Sequence, residues 1–228
     1  TKVIYNYART TIFLVFEYID QDLSRVIQTN QLLSKILVKS YIKQLLEGIE
    51  ECHNNAIIHR DIKPANILIS NEKILKIADF GLARSLSEFN NNCTPEVVTL
   101  YYRAPELLLG QDNYTDKIDI WSIGCVFAEL LLGRAIFSNT SNDIHPESPA
   151  ASFHILNHIF ILLGTPNEQI WPGISKLKYF RKGMPNWRTK NPRTIFSKER
   201  INDIGIDLLF KLLSYPNQRI TATEALNH

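Results

Sequence analysis

The sequence has few cysteines, no long apolar run and almost no excess of either charge. Its three cysteines are widely spaced and form no CxxC pair, which argues against a disulfide framework or a cysteine zinc site. Lys and Arg number 25 and Asp and Glu 23, so no global field attracts nucleic acid or a membrane surface. The longest apolar stretch, residues 118–132, is interrupted by Asp119 and Glu129, which argues against a membrane span.

Glycine is scarce where a nucleotide-binding protein often needs it. None of the nine glycines belongs to a Gly-x-Gly-x-x-Gly pattern, so the usual signal for a phosphate-cradling loop is missing. A signal-like segment at the amino terminus is also missing. With 45% hydrophobic and 21% charged residues, the chain can still bury one or two ordinary cores. We therefore expect a compact protein with reduced thiols, located in the nucleus, the cytoplasm or both.

Two kinds of periodicity divide the chain. Segments rich in β-branched and aromatic residues predict two strand pairs, at 2–7 with 12–17 and at 66–69 with 75–78. Apolar residues spaced by three and four predict helices at 33–53, 115–132, 149–163, 204–213 and 221–227. Thr221 and Glu224 have the spacing of a capping box at the start of the last helix. The stretch 164–193, rich in Pro, Gly and Trp, predicts irregular structure.

The run His59-Arg60-Asp61-Ile62-Lys63-Pro64-Ala65-Asn66 concentrates side chains suited to phosphoryl transfer. Its carboxylate can orient a substrate hydroxyl, its second basic residue can reach the transferred phosphoryl group, and its amide can ligate a metal ion. The tripeptide His-Arg-Asp alone is common and also occurs in surface turns. Here Asp79-Phe80-Gly81 and Ala104-Pro105-Glu106 follow in order, and three ordered motifs argue against chance.

These motifs resemble those of the protein kinases, and the resemblance covers nearly the whole chain. It implies an α+β, protein kinase-like fold. Residues 1–18 would be the last two strands of the amino-terminal lobe and the start of the hinge, and residues 19–228 the mainly helical carboxyl-terminal lobe. Within that lobe, the activation segment would span residues 79–106. An insert typical of the CMGC group of kinases would span about residues 164–193.

The resemblance also implies a role for each matching residue. Asp61 would accept the proton of the substrate hydroxyl, Lys63 would stabilise the moving phosphoryl group, and Thr99 would complete the catalytic set. Asn66 and Asp79 would ligate Mg²⁺, with ATP as the phosphate donor, because this hard cation prefers oxygen ligands. The alternative for each residue is an ordinary cap or salt-bridge partner.

Two further matches concern the architecture of the lobe. Asp119 resembles the buried carboxylate that braces the catalytic loop in this family, and a buried acid needs such partners. Glu106 resembles an acid that pairs with a late arginine, here Arg219. The resemblance therefore implies structural roles for these residues.

Residues 14–18, followed by Gln21-Asp22-Leu23, resemble the hinge of the cyclin-dependent kinases. The implied nucleotide contacts are Phe16 at the gatekeeper position, the backbone of Glu17 and Ile19 at the adenine, Asp22 near the ribose and Leu68 below the base. The alternative is a core strand with no ligand.

Residues 94–103 closely follow the activation segment of the same family. The resemblance implies that Thr94 is the activating phosphorylation site and that Arg60 and Arg84 hold its phosphate, which needs arginines. It further implies a pocket for the proline after the target residue, formed by Val97, Val98 and Arg103. The sequence therefore predicts a proline-directed serine/threonine kinase.

The implied partners are proteins with Ser/Thr-Pro sites and a cyclin, whose contact helix is not in this sequence. The insert can dock a small adaptor protein in related kinases. Neither nucleic acid nor a membrane is an expected partner. His154 and His158 are four residues apart on a predicted helix and could in principle bind a metal ion, but packed or solvated histidines are commoner.

Three interpretations remain open for function. The missing glycine-rich loop, strand lysine and cyclin-contacting helix fit either a piece of a longer kinase or a shortened, inactive relative that serves as an interaction module. Both ends would cut through the fold, which favours the piece and predicts weak ATP binding by these residues alone. A small-molecule kinase would also keep Asp61 and Asn66, but residues 94–103 favour a peptide substrate. Ala65 and Tyr215 depart from the pattern of close relatives, and at position 215 the usual aspartate would cap the local turn better.

Overall fold

Helices dominate the chain after a short run of strands. A computed structural model describes residues 2–6, 11–29, 32–85, 99–138, 148–181 and 183–228. The helices are α1 (Leu23–Gln28), α2 (Lys35–Asn54), α3 (Pro105–Leu108), α4 (Lys117–Leu132), α5 (Pro149–Leu163), α6 (Asp203–Leu212) and α7 (Ala222–Leu226). The strands are β1 (Lys2–Asn6), β2 (Thr11–Val15), β3 (Gln21–Asp22), β4 (Ile57–Ile58), β5 (Ile67–Ile69), β6 (Leu75–Ile77) and β7 (Arg84–Ser85). The mixture confirms the predicted α+β class.

Helix α2 forms one wall of the core. The hydroxyl of Ser34 accepts a hydrogen bond from the backbone N–H of Leu37 at 3.3 Å, which caps the first turn. The apolar residues that recur every three or four positions are buried: Val38, Tyr41, Ile42, Leu45, Leu46 and Ile49. This stripe packs against α4, α7 and β6, so the predicted amphipathic helix is confirmed within two residues at each end.

Helix α4 runs through the centre of the molecule. Every residue from Ile118 to Leu131 is buried, as expected of a helix that is apolar on all sides. It contacts both α2 and α6, and Gly133 ends it in the left-handed region with φ of 72°. Asp119 and Glu129 are therefore acids in the interior, and each needs a hydrogen-bonding partner.

The described strands form three small antiparallel sheets. β1 pairs with β2, the sheet β3-β5-β6 lies next along the chain, and β4 pairs with β7. The two predicted strand pairs are confirmed to within two residues, whereas β3, β4, β7, α1 and α3 are additions to the prediction. The β1–β2 hairpin exposes most of its apolar side chains, and Val3 is 68% exposed.

The stretch 164–193 is irregular, as predicted, with short 3₁₀ turns at Ile174–Lys176 and Pro192–Thr194. Tyr215 secures its start, because the phenol O–H donates to the carbonyl of Gly164 at 2.6 Å and the ring lies 5.6 Å from that of Trp171. The backbone N–H groups of Gln218 and Arg219 both bond to the carbonyl of Tyr215. The tyrosine thus anchors the stretch 164–193 while backbone bonds close the turn.

Over the part of the chain that the model describes, no helix combines the length and apolar character that crossing a bilayer requires.

Candidate active site

The loop after β4 is held by a single buried carboxylate. Asp119 of α4 accepts hydrogen bonds from the backbone N–H groups of His59 and Arg60, both at 2.9 Å. Arg60 has φ of 67°, a left-handed conformation that is costly for a residue with a side chain. The predicted contact between Asp119 and this loop is therefore present, and it lies directly before Asp61.

Four of the predicted site residues meet at the carboxylate of Asp61. Its Oδ2 atom accepts hydrogen bonds from Lys63 Nζ at 2.7 Å and from Asn66 Nδ2 at 2.9 Å. Its Oδ1 atom accepts longer bonds from Thr99 Oγ1 at 3.2 Å and from the Thr99 backbone N–H at 3.3 Å. Lys63 Nζ also donates to Thr99 Oγ1 at 3.0 Å. The carboxylate is thus fixed on one side and more loosely bound on the other.

Asp79 lies at the end of the β5–β6 hairpin, close to Asn66 in the backbone pairing. The N–H of Ala78 donates to the carbonyl of Asn66 at 2.9 Å, and His59 Nε2 donates to the carbonyl of Ala78 at 3.0 Å. The Phe80 ring meets His59 edge-on at 4.8 Å between centroids. Asp79 itself is exposed and has φ of 62°. Its carboxylate accepts one bond, from the backbone N–H of Gly81 at 3.2 Å.

The donor set at this point suits Mg²⁺. The amide nitrogen of Asn66 faces Asp61, which directs its oxygen toward other partners, and Asp79 contributes a carboxylate. Mg²⁺ is typically held by one or two protein oxygens together with phosphate oxygens and water. In the described ranges no group of three or more His, Cys, Asp or Glu side chains could hold a metal.

The predicted hinge segment is tied to the β3-β5-β6 sheet by an ion pair. Lys76 Nζ lies 2.5 Å from Glu17 Oε2, although both side chains are substantially exposed. In the sheet, Leu68 pairs with Asp22 on one side and with Lys76 on the other. Paired residues of an antiparallel sheet point to the same face. The predicted floor below the adenine, the predicted ribose contact and the lysine that holds the hinge therefore form one row.

Asp22 also has a structural task. It caps α1, accepting a bond from the N–H of Arg25 at 3.0 Å and another from the hydroxyl of Ser24. Partial burial alone would raise the pKa of Asp22, but these hydrogen bonds and the Arg25 charge hold it below its usual value. Phe16, at the predicted gatekeeper position, is 66% exposed, and Ile19 is half-buried.

The predicted phosphate-binding arginines lie at one strand pair, with Arg84 inside it and Arg60 in the loop just after it. Arg84 of β7 pairs with Ile58 of β4, two residues before Arg60. Arg60 donates from Nε to the carbonyl of Leu82 at 2.6 Å and from an Nη atom to the hydroxyl of Tyr114 at 3.0 Å. Arg103 is half-buried and engaged in contacts. The predicted phosphorylation site Thr94 and the pocket residues Val97 and Val98 lie outside the described residues.

The predicted pairing of Glu106 with Arg219 is present and fully interior. Arg219 donates to both carboxylate oxygens, at 2.6 and 2.9 Å. A second buried acid, Glu129, accepts from the hydroxyl of Tyr102 at 2.8 Å, and burial raises the pKa of both groups. These contacts fix the segment that carries Thr99 and the start of α3.

The prediction from sequence missed several contributors to the site. Lys76, Tyr114 and Glu129 belong to no motif, and Tyr102 lies in the segment 94–103 without an assigned role. Each of these residues meets its partner across at least 27 residues of chain. The histidines His154 and His158 are adjacent, with ring centroids 4.3 Å apart. Burial and then the neighbouring His154 lower the pKa of His158.

The chain is similar to known proteins both in family and in sequence. Residues 2–228 match the family model described as the protein kinase domain. The chain is also 42% identical over 226 residues to cyclin-dependent kinase B2-2 of Arabidopsis thaliana, an alignment that covers 96% of this chain and 68% of that protein. The family match thus includes the hinge segment, the loop at 59–66 and the late helices.

Proposed function

Because this chain belongs to the protein kinase family, as a member similar to the cyclin-dependent kinases, we propose that it transfers the γ-phosphate of ATP to serine or threonine residues followed by proline. The observation that carries the proposal is the carboxylate of Asp61, on which Lys63, Asn66 and Thr99 converge. An enzyme is favoured over an inactive interaction module because an isolated binding surface needs no such arrangement.

Phosphoryl transfer asks the protein mainly to position groups and to neutralise charge. Oδ2 of Asp61 is held by short bonds from Lys63 and Asn66, whereas Oδ1 has only longer bonds from Thr99. We assign Oδ1 as the oxygen that receives the hydrogen bond, and then the proton, of the substrate hydroxyl, because it gives up the weaker contacts. Lys63, whose ammonium reaches Thr99, stabilises the moving phosphoryl group.

Asn66 and Asp79 are the proposed ligands of Mg²⁺, which when bound neutralises charge on the phosphates. The adenine is proposed to bond to the backbone of Glu17 and Ile19 beside Phe16, with Leu68 below it. Asp22 would contact the ribose while it continues to cap α1. The ion pair between Lys76 and Glu17 supports this arrangement, because it ties the hinge to the row that contains Leu68 and Asp22.

Activation is proposed to follow phosphorylation of Thr94. Arg84 lies on β7 opposite Ile58 of β4, and Arg60 follows Ile58 by two residues, which supports a joint role in holding the phosphate. The pocket for the proline of the substrate is assigned to Val97, Val98 and Arg103, by resemblance to the family.

The proposed partners extend what the name of the relative says of that protein, namely dependence on a cyclin. We propose a cyclin for this protein too, together with substrate proteins that contain Ser/Thr-Pro sites. A small adaptor is proposed at the insert 164–193, whose start is held by Tyr215. The proposed location is the nucleus, the cytoplasm or both.

The test is phosphate transfer by the full-length protein to a Ser-Pro peptide and to its Ser-Ala counterpart. We expect strong preference for the first, and a fall in kcat of roughly 10²- to 10⁴-fold for Asp61→Asn, because the amide cannot accept the proton. Asp112→Asn is the matched control, since it makes the same chemical change at an exposed aspartate outside the predicted site. Equal activity of Asp61→Asn and the unmodified protein would show that Asp61 is not the catalytic carboxylate.

A further inference from the structure

Two histidines lie side by side on α5. His154 and His158 are four residues apart, and side chains with this spacing are neighbours on one face of a helix. Their ring centroids are 4.3 Å apart, and the ring planes are tilted by 59°. Both residues are half-buried, and each stands directly before a buried isoleucine of the helix. The pair therefore concentrates ring nitrogens at the edge of the buried face of α5.

One of these nitrogens has no hydrogen-bonding partner. Nε2 of His154 is buried, and none of the described residues bonds to it. Within the described ranges His158 makes no hydrogen bond or ion pair either, so no carboxylate there engages the pair. Because buried polar atoms are normally satisfied, an unpaired nitrogen at this point indicates a site for an external ligand.

The chemistry of the pair suits a transition-metal ion. The lone pair of a neutral imidazole binds Zn²⁺, Cu²⁺ and Ni²⁺, whereas Mg²⁺ prefers oxygen. Two histidines at this spacing on one helix bind zinc together in a known helical motif. Burial and then the neighbouring His154 lower the pKa of His158, which favours the neutral form that a metal ion requires.

The distance between the rings is compatible with binding of one ion by both. A zinc–nitrogen bond is about 2.0–2.1 Å long, so two nitrogens on one tetrahedral ion lie roughly 3.3 Å apart. Rings whose centroids are 4.3 Å apart can reach this separation by rotation of the side chains alone. The helix itself is held in place, because the indole N–H of Trp187 donates to Asn157 Oδ1 at 3.0 Å and the hydroxyl of Thr189 donates to the carbonyl of Leu163 at 2.9 Å. The backbone under the pair is therefore a fixed support.

We propose that His154 and His158 together bind a divalent transition-metal ion of the Zn²⁺ class, each through one ring nitrogen. The two rings turn so that Nε2 of His154 and a nitrogen of His158 face the same ion. No third His, Cys, Asp or Glu of the described part of the chain joins them, so water takes the other positions, and the ion is held less tightly than in a closed site with four protein ligands. The ligands differ from the oxygens proposed for Mg²⁺, and the inference does not rest on the proposed function.

The test is calorimetric titration of Zn²⁺ into the untagged full-length protein, because a histidine tag would itself bind the ion. His154→Gln and His158→Gln each remove one nitrogen ligand and keep a polar side chain. His228→Gln is the matched control, since it makes the same change at an exposed histidine outside the pair. Tm measured without added metal shows that each variant is folded, and the titrations are repeated with excess Mg²⁺.

We expect Zn²⁺ to bind the unmodified protein, with Kd at least tenfold higher in each of His154→Gln and His158→Gln and within about twofold in His228→Gln. Excess Mg²⁺ should leave Kd unchanged, because it does not compete for imidazole. Absence of binding would overturn the proposal, as would a Kd that rises in only one of the two glutamine variants, since that indicates a single-histidine contact. These titrations involve no phosphate transfer, so a failure of the proposed function would leave their result unaffected.

Discussion

A charged side chain in the interior of this protein is stabilised by the individual residue that pairs with it. The ion pair of Glu106 and Arg219 is almost completely removed from water, with side-chain exposures of 3% and 0%. Arg219 makes two bonds to the carboxylate and further bonds to the carbonyls of Ser214 and Lys117. Such a pair adds little over an apolar replacement, but removal of one partner leaves an uncompensated charge. Its contribution is therefore conditional on both residues being present.

At the same scale, Glu106→Ala is expected to destabilise the protein by about 3–5 kcal/mol, because it leaves the buried guanidinium unpaired. For a chain of this size, the corresponding fall in Tm is roughly 10 °C. Asp203→Ala is the matched control, since it breaks an Arg–carboxylate pair whose acid is 85% exposed, and it should change Tm little. Thermal unfolding of the two variants under the same conditions gives the comparison. Similar Tm values for both would show that burial does not govern these pairs.

At the scale of elements, one glycine sets how closely two helices approach. A Cβ atom at Gly124 of α4 would lie 2.8 Å from Cδ2 and 2.9 Å from Cγ of Leu213, which follows α6. Alanine would raise helix propensity by about 1 kcal/mol. Overpacking typically costs about 1–3 kcal/mol, and here the obstacle includes the branch point of the leucine and not only its tip. The steric cost is therefore the larger of the two opposing effects.

Gly124→Ala should accordingly destabilise the protein by up to about 2 kcal/mol, the difference between these two effects. Gly48→Ala on α2 is the control, because the added Cβ would meet the flexible end of Ile77, Cδ1 at 2.9 Å. It gains the same propensity and is expected to be neutral or slightly stabilising. Chemical unfolding with fitted m-values measures both changes. A stable Gly124→Ala variant would mean that α4 and α6 can separate slightly without loss.

Elements long enough to show a repeating pattern of apolar residues could be predicted from the sequence. Helix α5 was predicted with the bounds that the structure has, because its apolar positions repeat over four turns. The strands β4 and β7 were not predicted, since two residues contain no periodicity. Each exists because the other is opposite, with Ile58 facing Arg84 across the pair. Short elements of this kind depend on the fold around them.

In the site, too, residues close together in sequence could be predicted, whereas contacts across long stretches of chain could not. Asp61, Lys63 and Asn66 lie within six residues, so their motif is readable, and their convergence on one carboxylate follows from local geometry. Thr99 joins them from 36 residues away and was predicted only by resemblance. The bond between His53 and Asp119 spans 66 residues and joins two helices, so no local pattern could indicate it.

For the molecule as a whole, stability in acid depends on surface carboxylates with lowered pKa values and on a buried carboxylate with a raised pKa. The two kinds of shift change the stability in opposite directions as the pH falls. Hydrogen bonds and neighbouring cations lower the pKa of several surface acids: Glu168, Asp203, Asp207 and Glu224. Their stabilisation is present above the ordinary values of 3.8 for Asp and 4.5 for Glu, and it is lost as the pH falls through the lowered pKa values. Burial raises the pKa of Glu129, so its charge opposes folding at neutral pH. That penalty disappears as the pH falls from the raised pKa toward 4.5.

We therefore expect Tm to stay level or rise slightly between pH 7 and about 4.5, and to fall below that range. Glu129→Gln keeps an acceptor for Tyr102 but has no charge to neutralise, so its Tm should exceed that of the unmodified protein at pH 7 by more than it does at pH 4.5. Glu168→Gln removes an exposed acid with a lowered pKa and serves as the control. Its Tm should still rise slightly between pH 7 and about 4.5, and below that range it should fall less steeply than the Tm of the unmodified protein. Calorimetry in matched buffers at constant ionic strength provides the curves. If the difference between Glu129→Gln and the unmodified protein is the same at every pH, Glu129 is not the group that titrates, and the interior of α4 tolerates its charge at no cost.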